Sequence, residues 1–183
     1  RGDLAKVAEL LTSGATCALL IGGRAMSEAG TRAAAAVATA TNAKLLSETF
    51  PARQRRGAGI PPTERMIYLA EFAAMQLAGV EHLIMVDTVD PVSFFAYPDK
   101  PSRIASDDTE ILTLADGSHD PIEALEALAE LLGAAPADGP ALEKPSRPEG
   151  PIDLNTFAQA IAHTLPDDAI VVDESNTSGL GLQ

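Results

Sequence analysis

The 183-residue sequence has one cysteine, no tryptophan, two tyrosines and five phenylalanines. A lone thiol, Cys17, rules out a disulfide framework within the chain and favours a reducing, cytoplasmic setting. Because Cys17 falls inside an apolar run, a buried and inert thiol is expected. With so few aromatics, alanine and leucine must fill the interior, which suits helices packed closely on a sheet. Basic charge is also scarce: 13 Lys and Arg stand against 26 Asp and Glu, for a net charge of -13. Nucleic-acid binding needs a concentrated basic surface, and the one basic cluster, 53–56, is too short to make one. No apolar run approaches the roughly 20 residues that span a bilayer, so no membrane partner is expected. A complete GxGxxG fingerprint is missing too.

What is present is one unit repeated. The run 15–21 (ATCALLI) ends in Gly22-Gly23, and an alanine-rich helix is predicted over 27–41. A second short run opens at 43–46, a second helix is predicted over 63–78, and a third run, 82–86 (HLIMV), closes on Asp87. Strand, helix, strand, helix, strand predicts an α/β fold, a Rossmann-like parallel sheet with helices on both faces. Runs 15–21 and 82–86 are continuously apolar, as strands hidden on both sides require. A helix over 3–11 capped by Asp3, a short strand at 104–105, a clearer one at 110–114 and a helix from Pro121 to Leu132 complete this part.

The strand-end loops carry the candidate sites. Two glycines after the first strand permit a tight turn and close approach by a ligand. Gly22 and Gly23 therefore make either a structural turn or a nucleotide or flavin site, with FAD or ADP as the ligand. No acidic residue is expected at the end of the second strand to read a ribose. The segment 47–62 is rich in Gly, Pro and Arg. Arg53, with Arg55 and Arg56, would clamp phosphate, form ion pairs across a subunit interface, or stay solvated. The stripe Tyr68, Phe72 and Met75 is expected in the core. Phe94, Phe95 and Tyr97 form either a contact surface or a cover over the sheet edge. His119, just before a helix, faces a ligand or serves at the surface or as a cap.

Residues 134–150 hold four prolines and read as a linker. The expected division is 1–135 as one domain, 136–150 as linker and 151–183 as the start of a second α/β domain. That second part is predicted as a helix over 153–164, with Leu154, Phe157 and Ile161 on one face, then a strand at 169–172. The start at Arg1 without an initiator methionine and the stop at Gln183 are taken as cuts in a longer protein.

Three stretches carry a family resemblance: ATCALLIGG with its alanine-rich helix, PVSFFAYPDKPS, and PIDLNTFAQAIAHTLPDDAIVVDESNTSG after the linker. In that order the chain resembles the thiamine-diphosphate-dependent enzymes of the acetolactate synthase, benzoylformate decarboxylase and pyruvate decarboxylase family. The resemblance implies a central domain followed by the opening of the diphosphate-binding domain. It implies a parent that uses thiamine diphosphate and magnesium on a 2-keto acid substrate, as decarboxylase or carboligase, in a homo-dimer or homo-tetramer. It places Asn176, Thr177 and Ser178 on the diphosphate side, and puts the catalytic glutamate and the metal-binding motif outside these 183 residues. The chain alone is accordingly expected to be inactive, with no catalytic or metal-ligating residue of its own. The same resemblance links the central domain to flavin in some members and to an adenine nucleotide in others.

Overall fold

The computed structural model describes residues 3–96, 98, 101–175, 179 and 181. The chain forms two compact units, residues 1–140 and 141–183.

In the first unit five strands make one parallel sheet. They are β1 (Cys17–Ile21), β2 (Lys44–Ser47), β3 (Glu64–Arg65), β4 (His82–Val86) and β5 (Glu110–Ala115). Their order is β3-β2-β1-β4-β5. Chain progress runs outward from β1 to β3, then crosses back to β4, so the direction of winding reverses between β1 and β4. Alternate residues of the central strands serve opposite faces. Cys17, Leu19, Ile21, Ile84 and Val86 join one core, and Ala18, Leu20, Leu83 and Met85 the other. All five residues of β1 are buried, as a central parallel strand covered on both sides demands.

Three helices cover the first face: α1 (Leu4–Leu11), α2 (Glu28–Thr41) and α4 (Pro121–Leu131). Asp3 caps α1 by accepting from Lys6 N, and Ser27 caps α2 by accepting from Gly30 N. Asp120 accepts from Ile122 N and Glu123 N ahead of Pro121, and Gly133, at φ 61°, follows the end of α4. Small side chains let α2 lie close to the sheet: Ala33, Ala34, Ala35, Ala36 and Ala38 are all buried.

The second face departs from expectation. The predicted helix over 63–78 begins only at Ala70, as α3 (Ala70–Gln76). Residues 64–65 pair with Leu46 and Ser47 instead. The Gln76 amide holds them there, accepting from Ile67 N at 2.8 Å and donating to Glu64 Oε1 at 2.7 Å and Arg65 O at 3.0 Å. Because α3 turns Ala73 inward, with Leu77 buried just past its end, Phe72 and Met75 are exposed rather than in the core, and Tyr68, ahead of the helix, is exposed too. Residues 104–105 are not a strand. Arg103 makes a single bridge to Val92, Ile104 N donates to Pro91 O, and Ala105 is buried against the second core.

In the second unit α5 (Leu154–Thr164) carries a full capping box between Asp153 and Thr156. Ala158 is its buried residue, while Leu154 is 59% and Phe157 37% exposed. The predicted strand at 169–172 does not form. It has no pairing partner among the described residues, and Ile170 and Val172 are 88% and 79% exposed.

Candidate functional site

The carboxyl ends of β1, β2, β4 and β5 bring the candidate residues together, at the point where winding reverses. An open parallel sheet offers its ligand crevice there. Gly22 leaves β1 with its N–H donating to Val86 O at 3.0 Å, and a single 3-10 turn follows over Gly23–Met26. Gly23 has φ 46°, a conformation that glycine adopts at little cost.

The next two amides meet carboxylates. Gly23 N donates to Glu48 Oε1 at 3.0 Å, and Arg24 N donates to Asp87 Oδ2 at 2.7 Å. Glu48 directly follows β2, an acidic residue just past that strand end whose carboxylate is turned to the Gly23 amide. The strand runs one residue further than its apolar pattern, through the buried Ser47. Asp87 follows β4 at φ 52°. The Arg24 guanidinium lies 3.7 Å from Asp87 Oδ2 and donates to the carbonyl of His119, after β5.

A side chain at either glycine would crowd these carboxylates. A Cβ on Gly22 would sit 2.8 Å from the Glu48 carboxylate, and one on Gly23 only 2.5 Å from Asp87 Oδ2. Glu48, Asp87 and Arg24 were not singled out by the sequence. The available signal was an acid immediately after each of the two strands that flank β1.

The remaining candidates are spread out. Arg53 is exposed in the loop after β2. That loop is drawn toward the glycine turn through Arg55 N, which donates to Met26 O at 3.1 Å. Its far part is held by the segment after α4: Gly59 N donates to Pro140 O and Gly139 N to Gly59 O. His119 belongs to a small polar turn in which Asp116 Oδ1 lies 2.8 Å from His119 Nδ1 and accepts from Ser118 Oγ at 2.6 Å. These bonds, Ser118 first and His119 second, hold the Asp116 carboxyl well below the usual carboxylate range. The helix cap there is Asp120, not His119.

Beyond the crevice, Phe50, Tyr68, Phe94 and Phe95 make an aromatic cluster. Phe50 meets Phe94 edge-on at 5.0 Å between centroids and lies 6.4 Å from Tyr68, which meets Phe95 at 6.5 Å. All four are at least 40% exposed, so the cluster is a surface and not a cover over the sheet edge. Tyr97, and the diphosphate-side candidates Asn176, Thr177 and Ser178, lie outside the described residues. Among the described residues no three His, Cys, Asp or Glu side chains converge as a metal centre, and no helix is long and apolar enough to cross a membrane. An open hollow of about 460 Å³, bordered by Leu11, Gly14, Thr16 and Asn42, lies at the opposite, amino end of the sheet, away from these groups.

Among known proteins the chain is 44% identical to "Putative acetolactate synthase large subunit IlvX" of Mycobacterium tuberculosis, along 97% of its own length. It is related to the acetolactate-synthase-like, thiamine-diphosphate-dependent enzymes. The relationship is partial, since the chain spans 35% of that relative. Two solved structures of such enzymes share the fold. The thiamine diphosphate-dependent 4-hydroxybenzoylformate decarboxylase of Rhodococcus jostii RHA1 has a TM-score of 0.68 at 18% identity, covering 98% of this chain and 37% of that one. A "putative thiamin diphosphate-dependent enzyme" of Mycobacterium smegmatis has a TM-score of 0.65 at 20% identity, covering 98% and 38%. No family model matches the sequence. The parallel sheet is what this chain shares with those two structures.

Proposed function

We propose that the chain is the central, Rossmann-like part, with the opening of the diphosphate-binding part, of an acetolactate-synthase-like 2-keto acid decarboxylase or carboligase. Within that parent it acts as scaffold and contact surface and is inactive by itself. The observation that carries this reading is the 44% identity to IlvX along 97% of the chain, in a stretch that makes up 35% of that relative. The parallel sheet agrees with it in fold.

Thiamine diphosphate, when bound by the parent, supplies the electron sink that lets a 2-keto acid lose carbon dioxide. Magnesium and most contacts to the diphosphate are assigned to other parts of the parent, with Asn176, Thr177 and Ser178 retained as diphosphate-side candidates. The division into 1–135, a linker over 136–150 and 151–183 belongs to the same reading. So does assembly into a homo-dimer or homo-tetramer, for which the exposed cluster of Phe50, Tyr68, Phe94 and Phe95 offers a contact surface. A cytoplasmic setting agrees with the free, buried Cys17, whose thiol is pushed up in pKa by burial and by the nearby Glu81.

The test pairs two proteins, this chain and the full parent, each with thiamine diphosphate and magnesium. Carbon dioxide release from pyruvate and from benzoylformate is the readout. Cofactor-dependent release from the parent and none from the 183-residue chain is the expected result. A parent that decarboxylates no 2-keto acid, or a chain that does so alone, overturns the reading.

A further inference from the structure

The glycine turn at the end of a central parallel strand is where such a sheet receives a phosphate, through backbone N–H groups left free by the turn. In this chain those groups are already engaged. Gly22 N meets Val86 O, Gly23 N meets Glu48 Oε1, Arg24 N meets Asp87 Oδ2, and Ala25 N meets Gly22 O. We propose that Glu48 and Asp87 form an internal carboxylate clasp that stands where a phosphate would bind, making them the residues by which this domain refuses phosphate-bearing nucleotides. The inference does not depend on the thiamine-diphosphate reading.

Three physical effects act together. The first is occupancy: each carboxylate oxygen takes the amide that an anion would need. The second is space. The distances from the missing Cβ positions, 2.8 Å to Glu48 at Gly22 and 2.5 Å to Asp87 at Gly23, show the carboxylates lying directly on both glycines. The volume that glycine opens is filled from within the chain. The third is charge. Two carboxylates at one turn repel a phosphate, and the nearby Arg24 side chain is turned toward Asp87 and the His119 carbonyl.

The clasp is also held from behind. Glu48 N donates to Ile21 O at 2.9 Å and Asp87 N to Ala115 O at 2.8 Å, so both residues leave their strands along fixed paths. Glu48 arrives from β2 and Asp87 from β4, on either side of β1. The two side chains thus tie the strands that flank the crevice to the turn that forms its floor. An acid after the second strand can instead read a ribose hydroxyl. Here Glu48 Oε1 faces an amide, and Asp87 blocks the neighbouring amide that a pyrophosphate would require.

The test is titration of the 183-residue chain with ADP and with FAD, by calorimetry and by flavin fluorescence. The wild type is compared with a double variant, Glu48→Ala with Asp87→Gly. Glycine suits φ 52°, so the second change frees the amide of Arg24 without straining the turn. The wild type is expected to show no saturable binding up to about 1 mM. The double variant is expected to bind at least about tenfold better, from release of two amides and loss of two repelling charges. Saturable binding by the wild type overturns the proposal, whether Glu48 then reads a ribose or the clasp simply opens. A folded double variant with no gain overturns it as well. A readout on the wild type alone covers failure of the variant to fold. The Gly23 and Arg24 amide resonances should stay unshifted as inorganic phosphate is added, and a saturable shift at either one overturns the proposal.

Discussion

Residues 17–21 (CALLI) and 169–172 (AIVV) are written in much the same apolar alphabet, yet they end in opposite conditions. The first is a strand with every residue buried, paired to β2 on one side and β4 on the other. The second has no strand geometry, and its Ile170 and Val172 are almost fully exposed. The second is the richer in β-branched residues, so intrinsic preference for extended backbone does not explain the difference. Neighbours do. β1 has ladder partners on both edges, α1, α2 and α4 over one face, and α3 with the 104–105 segment over the other. An apolar run becomes a parallel strand only where another part of the chain supplies ladder partners and cover.

The largest expected effect comes from truncating the same kind of side chain in both places. Leu19→Ala removes a fully buried side chain at the centre of the first core and should cost about 2–5 kcal/mol in urea unfolding. Val171→Ala removes a half-exposed one and should stay within about 0.5 kcal/mol. Equal losses at the two sites would erase the comparison.

Hydrogen exchange sharpens it at the level of the backbone. Amides of 18–21 should exchange only when the first unit opens, whereas those of 170–172 should exchange close to the rate of an unstructured peptide. Protection at 170–172 matching that of β1 would mean a partner strand pairs with them, and addition of the remaining parts of the parent should produce that protection.

The smallest effect separates the two units by pH. Asp153, the cap of α5, has its carboxyl held below its ordinary value by hydrogen bonds, first from the Thr156 backbone N–H, then involving the Thr156 side chain, then from Asn155 N. A depressed folded-state pKa contributes stability above the ordinary aspartate value, near 4, and loses it as pH falls through the depressed one. Helical signal from 154–164 should therefore decline below about pH 4, and Asp153→Ala should abolish that pH dependence. A cap effect that persists in the variant would place the titration elsewhere. α4 is also capped, by Asp120, and in addition buries Ala124, Leu125 and Leu128 against the sheet.

Much of the frame was legible from local pattern. Continuous apolar runs marked β1 and β4. Asp3 and Pro121 marked helix starts, as did the onsets expected at 27 and 153, because capping chemistry acts within a few residues. Less of the site was legible. Gly22 and Gly23 stood out as permitting a close approach, but nothing local said by what. Glu48 and Asp87 are 25 and 63 residues away from the amides they meet, so only the pairing of β1 with β2 and β4 reveals the contact.

The sequence by itself determined an α/β chain with a parallel sheet, where its central strands and most of its helices lie, and its likeness to the acetolactate-synthase family. Periodicity and caps express short-range sterics and hydrogen bonding, and these survive being read in one dimension. Tertiary structure alone decided that 64–65 pairs as an edge strand, that Tyr68, Phe72 and Met75 face outward, and that 169–172 stays unpaired. It also decided that two carboxylates fill the glycine turn. Each of these turns on which distant segment arrives first at a backbone donor or an apolar face, and that competition is settled only when the whole chain is packed.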